Sequence, residues 1–379
     1  MRLRQLDILR AVAILLVLGR HFSFSETLSR GGWSGVDLFF VLSGFLISGL
    51  LFAEFKKGGR IDLGRFLIRR GFKIYPPFYA FMGWTVAMFL IRGGHLRMKA
   101  LISELFFLQS YVPAMWPHTW SLAVEEHFYL ALPLLLIVLS RFLRDRRDPF
   151  RALPGLFVLV ACASLGLRLY LCRGGPLPLT TIQYKSHLNV DGLLFGVVLS
   201  YFYHFQREQF DRAADLPGWF LLAASASLIA PCFVLTIEQS SFLQTLGHPM
   251  LYLGYGGLLM LALRRPVVGA RVILLRPLGD GLAYLGKHSY SVYLWHSAVA
   301  VWGLEFLRRI GLLPAANPLQ FVIYAILSFA IGIEMARLVE IPALKIRDRL
   351  FPTSNAPLTV QGPSGDSATP VPSMVPEAG

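Results

Sequence analysis

Residues 36–55 read VDLFFVLSGFLISGLLFAEF, an apolar run with one charge near each end, Asp37 and Glu54. A helix needs about 20 mostly apolar residues to cross the hydrocarbon core of a bilayer, and this run has that length. Runs of the same kind recur at 6–24, 74–91, 120–140, 152–172, 187–205, 217–237, 248–264, 284–307 and 318–338, which makes ten. An eleventh, 100–112, is short and carries Glu104 and Gln109, so it reads as a partly buried piece of an outer loop spanning 92–119. Of the 379 residues, 55% are apolar and 15% are charged, against roughly 25% charged in a soluble domain. That excludes a disordered chain. It also argues against a soluble globule and a nucleic-acid binder, because the apolar excess runs along the whole chain rather than into one core.

The expected fold is all-α, a polytopic transmembrane bundle of about ten spans. Basic residues set its orientation. With both termini in the cytoplasm, 26 of the 36 Lys and Arg fall on the inner side, as the positive-inside rule requires. If 100–112 crossed the membrane, the Arg141–Arg151 cluster would move outside. The first apolar run follows Arg2 and Arg4 and has no small-residue cleavage site after it, so it reads as a signal anchor. Residues 1–350 form one membrane domain. Residues 351–379, with six prolines and few charges, read as a disordered cytoplasmic tail. Cys162, Cys172 and Cys232 lie in apolar runs without metal-ligand spacing, and no metal site is expected. The expected location is the plasma or inner membrane.

Ionisable residues inside spans are costly and face a cavity or each other. The first span carries Asp7, Arg10 and His21. Eleven residues separate Arg10 from His21, about 20° from a whole number of helical turns, so both share a face, and Asp7 joins it at i−3. A capping acid, a snorkelling arginine and an interfacial histidine would explain the same stripe. Asp37 stands near the start of the second span, where the helix dipole favours an acid. Ser43-Gly44 fits a helix-packing site. Arg69, Arg70 and Lys73 fall on one helical face before Ile74-Tyr75-Pro76-Pro77; they suit anionic lipid or a phosphate ligand. The proline pair should end or kink that helix. The fourth span opens with HTWSLAVEEHFY, residues 118–129, whose Glu125, Glu126 and His127 are hard to explain as packing. Asp191 opens the sixth span. His296 belongs to a polar-aromatic stripe, His288 to His296, which interfacial aromatics and interhelical hydrogen bonds would also explain.

These segments resemble the acyltransferase 3 family of integral-membrane O-acyltransferases. The resemblance rests on Leu6-Asp7-Ile8-Leu9-Arg10 with His21, on SGVDLFFVLSGFLI (34–47), on Arg69-Arg70 with Tyr75-Pro76, on WSLAVEEHFY (120–129) and on SYSVYLWH (289–296), in the family's order over roughly residues 3 to 340. It implies an acyl-CoA donor, usually acetyl-CoA, and transfer to a hydroxyl of a carbohydrate or glycolipid acceptor. It also implies a basic residue and a histidine at Arg10 and His21, and donor contacts at Arg70 and Lys73. Three positions depart from the family's pattern. Lys73 replaces an arginine, which keeps the charge but loses the bidentate fork. His127 stands where glutamine is common, and Asn189 where arginine is frequent.

Arg10 and His21 lie about 16 Å apart along the helix, comparable to an extended phosphopantetheine arm. A CoA entering from the cytoplasm would leave its phosphates at Arg10, Arg70 and Lys73 while its thioester reaches toward His21. Neutral His21 would act as general base, oriented by Glu125 or Glu126 as in triad logic. Asp7 lies too far down the same helix for that task and suits a pairing with Arg10. Asp37, Ser43, His127, Asp191 and His296 remain as polar groups for substrate or structure. The rival readings are a transporter or flippase for a lipid-linked sugar and an assembly subunit of an envelope complex.

Overall fold

The computed structural model describes residues 3–22, 25–142, 148–264, 276–314 and 317–352. The expected tail lies outside the described residues from position 353 onward. Among the described residues every regular element is helical. The main helices are α1 (Arg4–His21), α2 (Ser34–Gly58), α3 (Leu63–Ile91), α4 (Trp120–Phe142), α5 (Leu153–Leu171), α6 (Val190–Phe205), α7 (Gly218–Ile229), α8 (His248–Leu263), α9 (Arg276–Lys287), α10 (Ser289–Ala298), α11 (Asn317–Met335) and α12 (Ile341–Leu350). Five-residue π-helical turns lead into α8, follow α10 and join α11 to α12.

Among the described residues six stretches are long and apolar enough to cross a membrane: Ser34–Gly58, Leu63–Ile91, Pro117–Phe142, Leu153–Gly174, Leu243–Leu263 and Asn317–Leu350. They correspond to six of the ten expected runs and make the chain a multi-pass membrane protein. The other four fall short for separate reasons. Helix α1 carries Arg4, Asp7, Arg10 and Arg20 in 18 residues. Helix α6 is apolar but 16 residues long. The run at 217–237 is divided between α7 and Pro231–Val234; with Arg207–Ala214 it would make a seventh span only as a pair bent by 85°. The run at 284–307 is interrupted at His288, between α9 and α10, and α10 carries Ser289, Tyr290, Ser291, Tyr293 and His296. Within the expected outer loop, only Met98–Leu105 is α-helical.

Helix α2 is the centre of the bundle. Of its most apolar window, 78% is buried inside the protein, against 17% for α5 at the periphery. Its closest partner is α6, and glycines make that approach possible. A Cβ on Gly44 would stand 1.9 Å from the Leu193 carbonyl oxygen, and one on Gly196 2.2 Å from that of Val41. Helix α1 lies against α9 in the same way, with Gly286 against the Asp7 backbone. Such small-residue contacts suit a membrane bundle, where apolar burial alone gives helices little reason to associate.

The proline pair does not end α3, which runs from Leu63 through Pro76 and Pro77 to Ile91. Neighbouring groups can satisfy the backbone around intramembrane prolines, and here the Tyr290 hydroxyl donates to the Ile74 carbonyl at 2.8 Å. The start of α3 is capped by Asp62, whose carboxylate accepts from Arg65 N at 2.9 Å. Between α3 and α4, Glu104 is wholly buried. It accepts from Met115 N (3.0 Å), Trp116 N (3.1 Å) and the Thr119 hydroxyl (2.9 Å).

Two outcomes test this packing. Gly196→Leu should lower the unfolding midpoint in detergent by an amount equivalent to about 1–3 kcal/mol or more, because overpacking forces backbone apart. Gly155→Ala, whose Cβ meets nothing within 4 Å, should leave it unchanged. Burial pushes the Glu104 carboxyl from 4.5 up to about 7. The folded state therefore holds a proton that the unfolded state has lost, so Glu104 contributes most below pH 4.5 and the contribution is lost as pH rises through about 7. Glu104→Gln should flatten that part of a pH series of unfolding midpoints.

Candidate active site

A cleft partly open to its surroundings is lined by residues of five helices. From α2 come Phe39, Phe40 and Ser43, and from α4 come Ser121, Glu125 and Tyr129. The α4 residues recur every four positions, one face of a helix. Arg10 enters from α1, Arg70 and Lys73 from α3, and Ser289, Tyr290 and Tyr293 from α10. The three basic residues expected to hold a donor therefore line one cavity.

Each cation in the cleft has an anionic neighbour. Arg10 approaches Asp7, Nη1 to Oδ1, at 3.7 Å. Lys73 pairs with Glu340, whose other carboxylate oxygen accepts from the Ser291 hydroxyl at 2.7 Å. The Arg70 guanidinium sits 4.2 Å from the centre of the Tyr129 ring. That tyrosine donates to Glu125 at 2.7 Å, and Ser43 donates to the other oxygen of Glu125 at 2.8 Å. The Nε of Arg70 is buried and has no hydrogen-bond partner.

Three histidines cluster behind Tyr293, which lines the cleft; none of the three lines it. Ser121 and the Tyr293 hydroxyl are 2.6 Å apart, and Tyr293 donates to the His118 carbonyl at 2.7 Å. The Tyr293 ring centre is 5.5 Å from that of His296 and 5.7 Å from that of His118. His296 in turn lies 4.7 Å from His21 and 4.8 Å from His118. Among the described residues, no three His, Cys, Asp or Glu side chains are placed to hold a metal ion.

The expected carboxylate partner of His21 is not where triad logic puts it. Glu125 is engaged by Ser43 and Tyr129 beside Arg70, and Glu126 accepts from Tyr75. The group that orients His21 is a backbone carbonyl: Nδ1 lies 3.0 Å from Val17 O. A carbonyl only accepts, so Nδ1 carries the proton and Nε2 presents its lone pair. The i−4 geometry of α1 itself supplies this contact.

The remaining polar residues divide. Ser43 reaches the cleft. Asp37 faces His248, Oδ1 to Nδ1 at 3.1 Å, away from the cations. Asp191 binds fully buried Arg168 through both oxygens, at 2.8 and 3.0 Å, and fastens α6 to α5. His127 bonds Ser186 at 2.8 Å and stacks near Tyr111. The sequence reading gave no role to His118 or Glu340. His118 was visible at the head of the fourth apolar run, but nothing in its spacing tied it to His21.

A protein-family model described as an acyltransferase domain, Acyl_transf_3, matches residues 3–337. The chain belongs to the acyltransferase 3 family. It is 29% identical over 318 residues to the peptidoglycan O-acetyltransferase OatA of Listeria monocytogenes, covering 77% of this chain and 48% of that one. It is 28% identical to the putative peptidoglycan O-acetyltransferase YrhL of Bacillus subtilis, covering 78% and 48%. With the O-acetyltransferase OatA of Staphylococcus aureus it shares 27% identity over 365 residues, covering 90% and 57%. The chain thus spans about half the length of these curated relatives. No solved structure matches it.

The Arg168–Asp191 pair gives a prediction for the bundle. Asp191→Ala leaves a buried guanidinium uncompensated and should cost about 3–5 kcal/mol. Thermal unfolding and folded yield should both fall, whereas Asp191→Glu should recover part of the loss.

Proposed function

We propose that this membrane protein transfers an acyl group, acetyl in the first instance, from cytoplasmic acyl-CoA to a hydroxyl of a carbohydrate or glycolipid acceptor. The observation that carries the reading is the cleft itself: Arg10, Arg70 and Lys73 line it together with Tyr293, and Tyr293 packs against His296, whose ring centre is 4.7 Å from that of His21. Arginine and lysine suit the phosphates of CoA. The printed names of the relatives support peptidoglycan as an acceptor class. In this reading the helices α1, α6 and α10 and the bent 207–234 segment also cross the bilayer. That gives ten spans with both termini cytoplasmic, in a cell or inner membrane.

The mechanism follows from the tautomer of His21. Val17 holds Nδ1–H, so Nε2 removes the proton of the acceptor hydroxyl. The oxygen attacks the thioester carbonyl, and a C–O bond forms. The tetrahedral intermediate then collapses with cleavage of the C–S bond, and the departing thiolate regains the proton from Nε2–H. No carboxylate is needed beside the imidazole, because the backbone carbonyl fixes the ring. Glu125 serves the donor end by keeping Tyr129 and Arg70 in place. Lys73 is held by Glu340 and is shared with the donor on binding.

The test is release of CoA thiol by the purified protein in lipid, given acetyl-CoA with and without soluble peptidoglycan fragments. Wild type should turn over. His21→Ala should lose about 10²–10⁴-fold in kcat, the range of general-base catalysis, with KM for acetyl-CoA little changed. Arg70→Ala should raise that KM by about 10–100-fold, as loss of a charged hydrogen bond implies. Equal release by wild type and His21→Ala would remove His21 as the base. Absence of release by wild type would overturn the acyl-CoA donor and favour transport of a lipid-linked sugar.

A further inference from the structure

Helix α3 meets the end of the chain's helical part along a stripe of cations. Arg65, Arg69 and Lys73 recur every four residues, so they lie on one side of the helix. Each is engaged by the segment from Glu340 to Pro352. Arg65 donates to the Pro352 carbonyl, and Arg69 donates to the Phe351 carbonyl and, at 3.1 Å, to Asp348 Oδ1. Lys73 pairs with Glu340. The rings of Phe72 and Phe351 add an apolar contact, with centres 6.2 Å apart. Of the three cations, Lys73 alone is among the residues that line the cleft. The segment is therefore fastened at its exposed end by Arg65 and Arg69, and at its other end by a residue of the candidate site.

The inner end of this segment is built to let go. Glu340 is 4% exposed and ends the π-helical turn Ala336–Glu340, and Pro342 follows in the first turn of α12. Turns of that kind are rare and gather at functional sites. Pro342 has no N–H to give to the preceding turn, so the backbone ladder lacks a rung beside the residue that enters the site. Glu340 also has a second hold for its charge. Its Oε1 meets Lys73, while its Oε2 accepts from the Ser291 hydroxyl at 2.7 Å. Giving up Lys73 leaves the bond to Ser291 intact. A phosphate seated on Lys73 would press against the same carboxylate, and two anions on one ammonium repel strongly where water does not screen them.

We propose that the segment 340–352 is an autoinhibitory strap: the Glu340 carboxylate occupies, on Lys73, the place of a phosphate of the donor, and the two compete for that cation. This inference rests on the reading of the cleft as the site of a phosphate-bearing donor. In the free protein the strap is closed, with Lys73, Arg69 and Arg65 all engaged. Binding of the donor draws Lys73 away from Glu340 and unfastens the inner end, while Arg65 and Arg69 keep the outer end attached. Coupling of this kind is reciprocal. Whatever loosens the strap strengthens the hold on the anion, and the anion in turn loosens the strap. The strap therefore sets donor affinity without touching the donor's reacting end.

The test reads binding rather than turnover, so it needs no acceptor. Coenzyme A is titrated by calorimetry into the purified full chain in lipid, for wild type, Glu340→Gln, Lys73→Ala and the double variant. Glu340→Gln should tighten CoA by at least about fivefold, the lower end of coupling between linked sites. Lys73→Ala should weaken it by about tenfold or more, as loss of a charged hydrogen bond implies. The double variant should match Lys73→Ala within about twofold, because Glu340 acts only through Lys73. Without CoA the unfolding midpoint of Glu340→Gln should fall, since Lys73 is left unpaired, and CoA should raise it by more than it raises that of wild type. In wild type, saturating CoA should speed hydrogen exchange of the amides in 343–351. A carboxylate that only holds the fold together would give weaker CoA binding in Glu340→Gln and slower or unchanged exchange in wild type. The proposal is overturned if Glu340→Gln binds CoA no more tightly than wild type, or if its gain survives in the Lys73→Ala background. The exchange measurement on wild type decides the matter should Glu340→Gln not fold. CoA that binds none of these proteins sinks the donor reading first; CoA that binds wild type and is indifferent to Glu340 sinks this inference alone.

Discussion

Everything at the centre of this bundle depends on how charge is kept in a medium that does not solvate it. A lone cation among apolar helices is costly, and the protein places an anion beside each one lining the cleft. Asp7 stands by Arg10, Glu340 holds Lys73, and Glu125 lies beside Arg70 through Tyr129. These contacts join α1, α3, α4 and the turn before α12 around one cavity. The same arrangement leaves the cations able to exchange partners, because an incoming phosphate offers what the carboxylates already supply. Arg168 and Asp191 show the contrasting case, a fully buried pair with both carboxylate oxygens engaged.

The second constraint is on the imidazoles. His21 lies at the end of α1, and the helix provides its orienting group from the preceding turn. A carboxylate in that position would favour the charged imidazolium, whereas a carbonyl fixes the tautomer without adding charge. That suits an apolar setting and frees the glutamates of α4 for the cationic end. One helix face then separates two tasks by length alone. In the proposed reaction, anion recognition falls to Arg10 and proton transfer to His21, three turns away. Position along the helix does what separate domains do in soluble transferases.

Much of this was legible in the chain. Ten apolar runs, the clustering of basic residues and the eleven-residue interval from Arg10 to His21 all follow from local periodicity, which a helix preserves. The grouping of Arg10 with Arg70 and Lys73 was likewise anticipated, and the cleft contains all three. Less legible were the partners. The interval from Glu125 to His21 says nothing about which helix α4 faces, so the carboxylate was assigned to the wrong end. Asp37 and Asp191 read as polar groups for substrate or structure, but the chain could not name their partners, because His248 and Arg168 come from elements far away in sequence. Glu340 lay too far along the chain to be linked to Lys73 by pattern.

The sequence by itself determined the class of protein, the apolar runs, six of which form helices long enough to span a bilayer, and the face on which Arg10 and His21 stand. Those properties depend on composition and on a helical repeat, both local. Only the tertiary structure decided which anion meets which cation, that a backbone carbonyl orients His21, and that His118 and His296 complete a cluster with it. These depend on which helices touch, and that is set by where glycines such as Gly44, Gly196 and Gly286 allow backbones to meet. Close approach is a property of pairs of helices, and no single helix carries it in its own sequence.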